Sequence, residues 1–116
     1  MANQLQPLDA LFHALSDPTR RAVLQRLGAG SASVKDLSRP FAMALPSFLK
    51  HLAVLEDSGL ITTQKSGRTR TCNLNKVAFT PVDDWLTSQK AMWTARTDRL
   101  AAFVEATTTN EEDRNV

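Results

Sequence analysis

The sequence predicts a mainly α-helical chain with one small β-hairpin, and three observations predict it. Leu45, Phe48, Leu52 and Leu55 fall on one stripe at about 100° per residue, which is the spacing of a buried helical face. Gly59 then supplies a left-handed stop, after which Leu60-Ile61-Thr62-Thr63 changes to strand-favouring residues. Ser66-Gly67 is a tight-turn dipeptide between two such runs, so residues 60–74 read as a two-stranded hairpin.

The remaining elements follow in chain order. Leu8, Leu11, Phe12 and Leu15 give a first helix over residues 8–16. Asp17 is placed as an N-cap with Pro18 at the first helical position, and Ala22, Val23 and Leu27 continue an apolar stripe to Gly28 and Gly30. Ser33-Val34-Lys35-Asp36 has the Ser-x-x-acid form related to a capping box. It opens a short helix, with Val34 and Leu37 inward, that ends near Arg39-Pro40. Phe41-Ala42-Met43-Ala44 is the turn into the Leu45 helix, whose outer face carries Pro46, Ser47, Lys50, Val54 and Asp57, with Leu49 and His51 on the flanks. A short helix, a turn, a second helix with a polar outer face and then a hairpin with Lys65, Arg68 and Arg70 at its tip make a winged helix-turn-helix over residues 17–74. A basic hairpin tip can also be no more than a solvated surface. The whole chain is expected to form a single domain over 1–116, with about five helices and a two-stranded wing.

The last third reads as a long helix over residues 80–104. Thr80-Pro81-Val82-Asp83-Asp84 supplies a cap, a first-turn proline and acids suited to the helix dipole. Val82, Trp85, Leu86, Gln89, Met92, Trp93, Arg96, Leu100 and Phe103 then recur at helical spacing. Two tryptophans on one such helix exceed what a small core absorbs, so a dimer interface is expected, unless Trp85 and Trp93 simply cap the monomer core. Residues 108–116 are expected to be a frayed acidic tail.

Charge is unevenly placed. Residues 20–70 hold nine Lys/Arg against three acids, whereas the flanking segments are each slightly acidic, in a chain whose overall net charge is only +2. Positive charge therefore concentrates on the helix-turn-helix and wing, where phosphate neutralisation supplies affinity. No apolar run approaches the roughly 20 residues of a membrane span, and Met1-Ala2-Asn3-Gln4 lacks a basic-then-apolar leader, so no membrane association and a cytoplasmic location are expected. The single cysteine, Cys72, allows no intrachain disulfide and reads as a small apolar residue of the second wing strand. His13 and His51 are the only histidines and are read as lacking a metal-pair arrangement. With no glycine-rich phosphate loop and no nucleophile with its base, neither an enzyme nor a cofactor is expected.

At this point the residues resemble a known family. Leu11 through Arg20 is similar to the "ALadPtR" opening of the arsenic-repressor (ArsR-type) winged-helix transcriptional regulators. Lys50-His51-Leu52 through Leu55, with Ser58-Gly59-Leu60-Ile61, resembles their recognition-helix signature, and Gly67-Arg68 their wing tip. The resemblance covers about residues 8–104. It implies a homodimeric repressor acting on a palindromic promoter operator, with double-stranded DNA and a second copy as partners. Pro46, Ser47, Leu49, Lys50, His51, Lys65, Arg68 and Arg70 are the candidate DNA-binding residues. Leu8, Leu11, Phe12, Leu15, Trp85, Leu86, Met92, Trp93 and Leu100 are the candidate dimer contacts.

Two departures from the family pattern stand out. Leu49 replaces the family's usual serine; it offers either a thymine-methyl contact or an inward turn, and its offset of about 40° from Leu45 favours the inward one. Metal-sensing members carry a Cys-x-Cys-Asp-Leu-like segment where this chain has Ser33-Val34-Lys35-Asp36-Leu37, without a thiol, so no metal is assigned. No residue pattern assigns an effector. The alternatives are a thiol- or metal-switched repressor, or a winged-helix module that binds protein through an apolar or acidic outer face.

Overall fold

A computed structural model of the chain describes residues 7–114, with side chains to residue 108. Its elements are α1 (Pro7–Leu15), α2 (Pro18–Leu27), β1 (Ala32–Ser33), α3 (Val34–Ser38), α4 (Leu45–Asp57), β2 (Ile61–Ser66), β3 (Thr69–Leu74), a 3-10 turn (Lys76–Phe79) and α5 (Thr80–Arg114). The architecture is a mostly helical winged helix-turn-helix. The expected single domain divides into two compact units, residues 1–82 and 83–116.

The starts of α2 and α3 follow from the caps that the sequence supplies. Asp17 accepts the Arg20 backbone N–H at 3.0 Å ahead of Pro18, and Ser33 Oγ accepts the Asp36 N–H at 3.1 Å ahead of α3. The N–H from Arg20 holds the Asp17 carboxyl below its ordinary value, opposed by desolvation and assisted by the charges of His51 and Arg20. A carboxylate with a depressed folded pKa contributes stability that is present above the unfolded value and lost as pH falls through the folded one. Asp17→Ala should therefore cost about 1 kcal/mol at neutral pH. In urea unfolding, that difference should shrink below about pH 4.

The core lies within residues 1–82. Leu11 and Ala14 of α1, Val23, Leu24 and Leu27 of α2, Leu37 of α3, Phe48, Leu52 and Leu55 of α4, and Leu60, Ile61, Cys72 and Val82 are all buried. Leu11 is thus a core residue and not a dimer contact, because it shares the inward face of α1 with Ala14; Leu8 and Leu15 also pack on the edge of this core. Leu45, expected on the buried stripe of α4, is 54% exposed, because it is the first residue of its helix and projects beyond the packed layer.

The expected two-stranded wing, β2 and β3, is present and is extended by β1 into a three-stranded antiparallel sheet with strand order β1-β3-β2. β1 pairs through Ala32 with Cys72 and through Ser33 with Thr71, and Ser31 Oγ donates to Asn73 Oδ1 beside it. Two residues are too few to leave a period-2 signal, so β1 has no sequence signature. β2 and β3 run from Ile61 opposite Leu74 to Ser66 opposite Thr69. Gly67, at the first position of the two-residue turn, has φ +62°, the conformation that suits hairpin twist and favours glycine.

The second unit is the body of α5. The helix runs to Arg114, past the expected end at 104 and through most of the expected tail, because no glycine or proline interrupts residues 82–114; Asn115 and Val116 lie outside the described residues. From Asp83 to Thr108 every side chain is exposed except Gln89, which is partly covered. Trp85, Leu86, Met92, Trp93, Leu100, Phe103 and Val104 are large exposed apolar groups, and they fall within about 120° of arc at helical spacing.

Candidate nucleic-acid interface

The fate of each cation between residues 20 and 70 decides where this surface lies. Ala14, in the last turn of α1, has a carbonyl whose helical partner four residues on is Pro18, which has no N–H. Arg20 Nε donates to that carbonyl at 2.8 Å and Arg20 Nη2 to the carbonyl of His13 at 2.9 Å, while Arg21 Nη1 donates to the Leu15 carbonyl at 2.8 Å. Arg20 is accordingly buried, at 8% exposure. Arg26 Nη1 donates to the Gly30 carbonyl, and Arg39 pairs with Asp36 at 3.1 Å. Arg20 is thus buried and Arg39 is paired with an acid, while Arg21 and Arg26 are exposed but engaged by backbone carbonyls, so the count of nine overstates the free charge offered to a partner.

The other five cations, Lys35, Lys50, Lys65, Arg68 and Arg70, are exposed, and among the described residues none of their side chains forms a hydrogen bond or ion pair. Lys65 stands directly opposite Arg70 across the β2–β3 ladder. Like charges so placed destabilise a sheet, and no acid offsets them. Lys35, Arg68 and Arg70 line one concavity of about 310 Å³ with Ser33, Val34, Leu49 and Thr69. The β1–β3 pairing creates it, since Ser33 opposite Thr71 holds the start of α3 against the root of the wing. Lys35 is the residue that sequence reasoning did not select, because only this pairing brings it beside Arg68 and Arg70.

On α4, Pro46, Ser47 and Lys50 are exposed as expected for an outward face. His51 is not part of that face. Its Nδ1 lies 3.1 Å from Arg20 Nη1 and 3.6 Å from Asp17 Oδ2, so the half-buried ring ties the recognition helix to the capped start of α2. Its place on the flank of the wheel left this open; a buried arginine 31 residues earlier decides it. Leu49 also departs from expectation, being 39% exposed beside the basic concavity rather than turned inward.

Cys72 is fully buried, and desolvation raises its thiol pKa, with Arg70 opposing and Glu56 assisting. Less thiolate and no access make it a poor redox switch. Asp9, one helical turn before His13 and so on its face by spacing alone, shares a groove of about 550 Å³ with His13 and with Asp57, which only the tertiary structure brings there. No group of three His, Cys, Asp or Glu residues among the described residues is arranged to hold a metal ion. No helix among them is long and apolar enough to cross a membrane.

Comparison with known proteins agrees with this geometry. A helix-turn-helix domain model matches residues 15–64. A crystal structure of an ArsR family transcriptional regulator is 55% identical with a TM-score of 0.74, over 77% of this chain and 98% of that one. An ArsR-like transcriptional regulator from Rhodococcus sp. RHA1 is 28% identical with a TM-score of 0.69, over 81% of this chain and 89% of that one. The transcriptional repressor SdpR of Bacillus subtilis (strain 168) is 29% identical over 79 residues, which is 68% of this chain and 88% of the repressor. With the caps, the turn, the recognition helix and the wing in the order seen here, and with this identity over nearly all of a solved member, the chain belongs to the ArsR family of helix-turn-helix transcriptional regulators, which bind DNA and are not enzymes.

Proposed function

We propose that the chain is a cytoplasmic, homodimeric repressor that binds a palindromic promoter operator, with α4 in the major groove and the wing on the flanking backbone. The observation that carries this reading is the separation of the cations. One arginine is buried and three more are engaged by backbone carbonyls or an acid at the surface, and the five cations whose side chains have no such contact all belong to α3, α4 and the wing. Ser47 and Lys50 are the base-reading candidates, since a lysine there donates to guanine O6 and N7 or to phosphate. Lys35, Lys65, Arg68 and Arg70 are phosphate contacts, which fix register without reading sequence. A protein-binding module expects an apolar or acidic outer face, whereas this one carries Ser47 and Lys50 beside a basic wing.

Dimerisation is supported by the apolar stripe of α5, which leaves two tryptophans, two leucines, a methionine, a phenylalanine and a valine exposed. A second copy presenting the same stripe would cover it, with Leu8, Phe12 and Leu15 of α1 as further contacts. Two recognition helices related by a two-fold axis then read half-sites about one helical turn apart.

Affinity measured against salt concentration tests the DNA reading. Each phosphate that a substitution leaves without its cation should lower the slope of log K against log salt by about 0.9, so Arg68→Ala should lower it by about 1.8 for a dimer with two wings. The weakening should be nearly uniform across sequences. A changed sequence preference with an unaltered slope would remove the wing from the backbone.

A further inference from the structure

We infer that Leu49 reads the C5-methyl group of a thymine, and so fixes an A·T pair at one position of each operator half-site. The inference rests on the DNA reading above and names the base that this reading leaves open. Leu49 belongs neither to the buried core nor to the apolar side chains packed on its edge. Its neighbour Phe48 fills the core completely, so the backbone of α4 is fixed and Leu49 is held outward at 39% exposure. It lines the concavity of Lys35, Arg68 and Arg70 together with Val34, so its apolar surface stands beside three cations.

At 39% exposure, part of the apolar surface of Leu49 is left without a partner in the protein, close to cations that can draw in DNA. DNA drawn in by those cations would bring base edges against α4. Guanine, cytosine and adenine are distinguished in the major groove by their hydrogen-bonding groups, whereas thymine alone projects a methyl there. Leucine cannot donate or accept a hydrogen bond, so a purely polar edge pressed against it loses its water without replacement. Thymine alone gives it an apolar partner. Leu49 thus selects by accepting a methyl and by rejecting the alternatives, while Ser47 and Lys50 remain available for hydrogen-bonded readout on the same helix.

Selection from a library of randomised duplexes, carried out with the full chain and with Leu49→Ser, supplies the probe. Each thymine of the enriched half-site is then replaced by deoxyuridine, which removes only the methyl. One position per half-site should respond, with wild-type affinity falling about fourfold for each methyl removed, as expected for a buried group worth about 0.8 kcal/mol. Leu49→Ser should bind the thymine and deoxyuridine duplexes equally, relax base choice at that position and keep the wild-type melting temperature. If no position responds to deoxyuridine, or if Leu49→Ser shows the same fall in affinity, the inference fails while DNA binding stands. A lowered melting temperature with operator choice intact would place Leu49 in packing and also overturn it. If the wild-type chain enriches no duplex at all, the DNA reading itself fails and takes this inference with it.

Discussion

If the chain dimerises through α5 as proposed, replacing Trp93 by glutamate should give a monomer that keeps its fold and binds the proposed palindromic operator at least about a hundredfold more weakly. Trp93 is 53% exposed on α5 and belongs to none of the core packing within residues 1–82, so the substitution removes nothing that holds that unit together. In the proposed dimer the same side chain is covered twice, once from each copy. Removing a central tryptophan typically costs about 2–4 kcal/mol at an interface, so two of them weaken association by roughly a thousandfold or more. A monomer then binds one half-site without the gain of linked binding, which is about 10² to 10⁴ for paired modules. Sedimentation would report the assembly state, and titration with intact and half operators would report the linkage. A Trp93→Glu chain that remains dimeric, or a monomer that binds the full palindrome as tightly as the wild type, would refute the α5 interface.

Arg20→Met should be the most destabilising single change outside the apolar core, by about 3 kcal/mol, and should lower the melting temperature by at least about 10 °C. The side chain does three jobs from one buried position. It gives the Ala14 carbonyl the donor that Pro18 cannot give, supports the His13 carbonyl, and meets His51 on the recognition helix. Methionine keeps most of the volume and makes none of these bonds, so a buried carbonyl is left unsatisfied, which costs about 1–3 kcal/mol alone. Arg20→Lys should rescue little, since an ammonium cannot reproduce the fork. Arg21→Ala, which removes one exposed bond to Leu15, should cost less than about 1 kcal/mol and serves as the control. Thermal unfolding of the three variants decides the matter, and an Arg20→Met protein as stable as Arg21→Ala would contradict it.

These two residues also mark how far the sequence could be read. The place of Trp93 on one apolar arc of α5 was legible from type and spacing, and its exposure there leaves the arc open to the proposed partner. Arg20 did not. It looked like one more cation beside Arg21, and its burial depends on a proline that disables the previous helix's carbonyl and on a histidine 31 residues later. Lys35 was likewise visible only as charge. Its place in the basic concavity depends on a two-residue strand whose partner, Thr71, lies on the far side of the recognition helix in sequence.

What the sequence determined was local. The caps at Asp17 and Ser33, the left-handed glycines Gly59 and Gly67, the apolar stripe of Phe48, Leu52 and Leu55 and the alternating wing all follow from interactions within a few residues, and each stands where the spacing put it. What the tertiary structure decided was the use of individual side chains on those elements. Helical periodicity fixes the angle at which a residue leaves its axis but not what it meets there. His51 and Leu49 lie two positions apart on the same helix. One turns toward a buried arginine and the other is left facing solvent among cations, because the surroundings on the two sides of α4 come from α2 in one case and from α3 and the wing in the other.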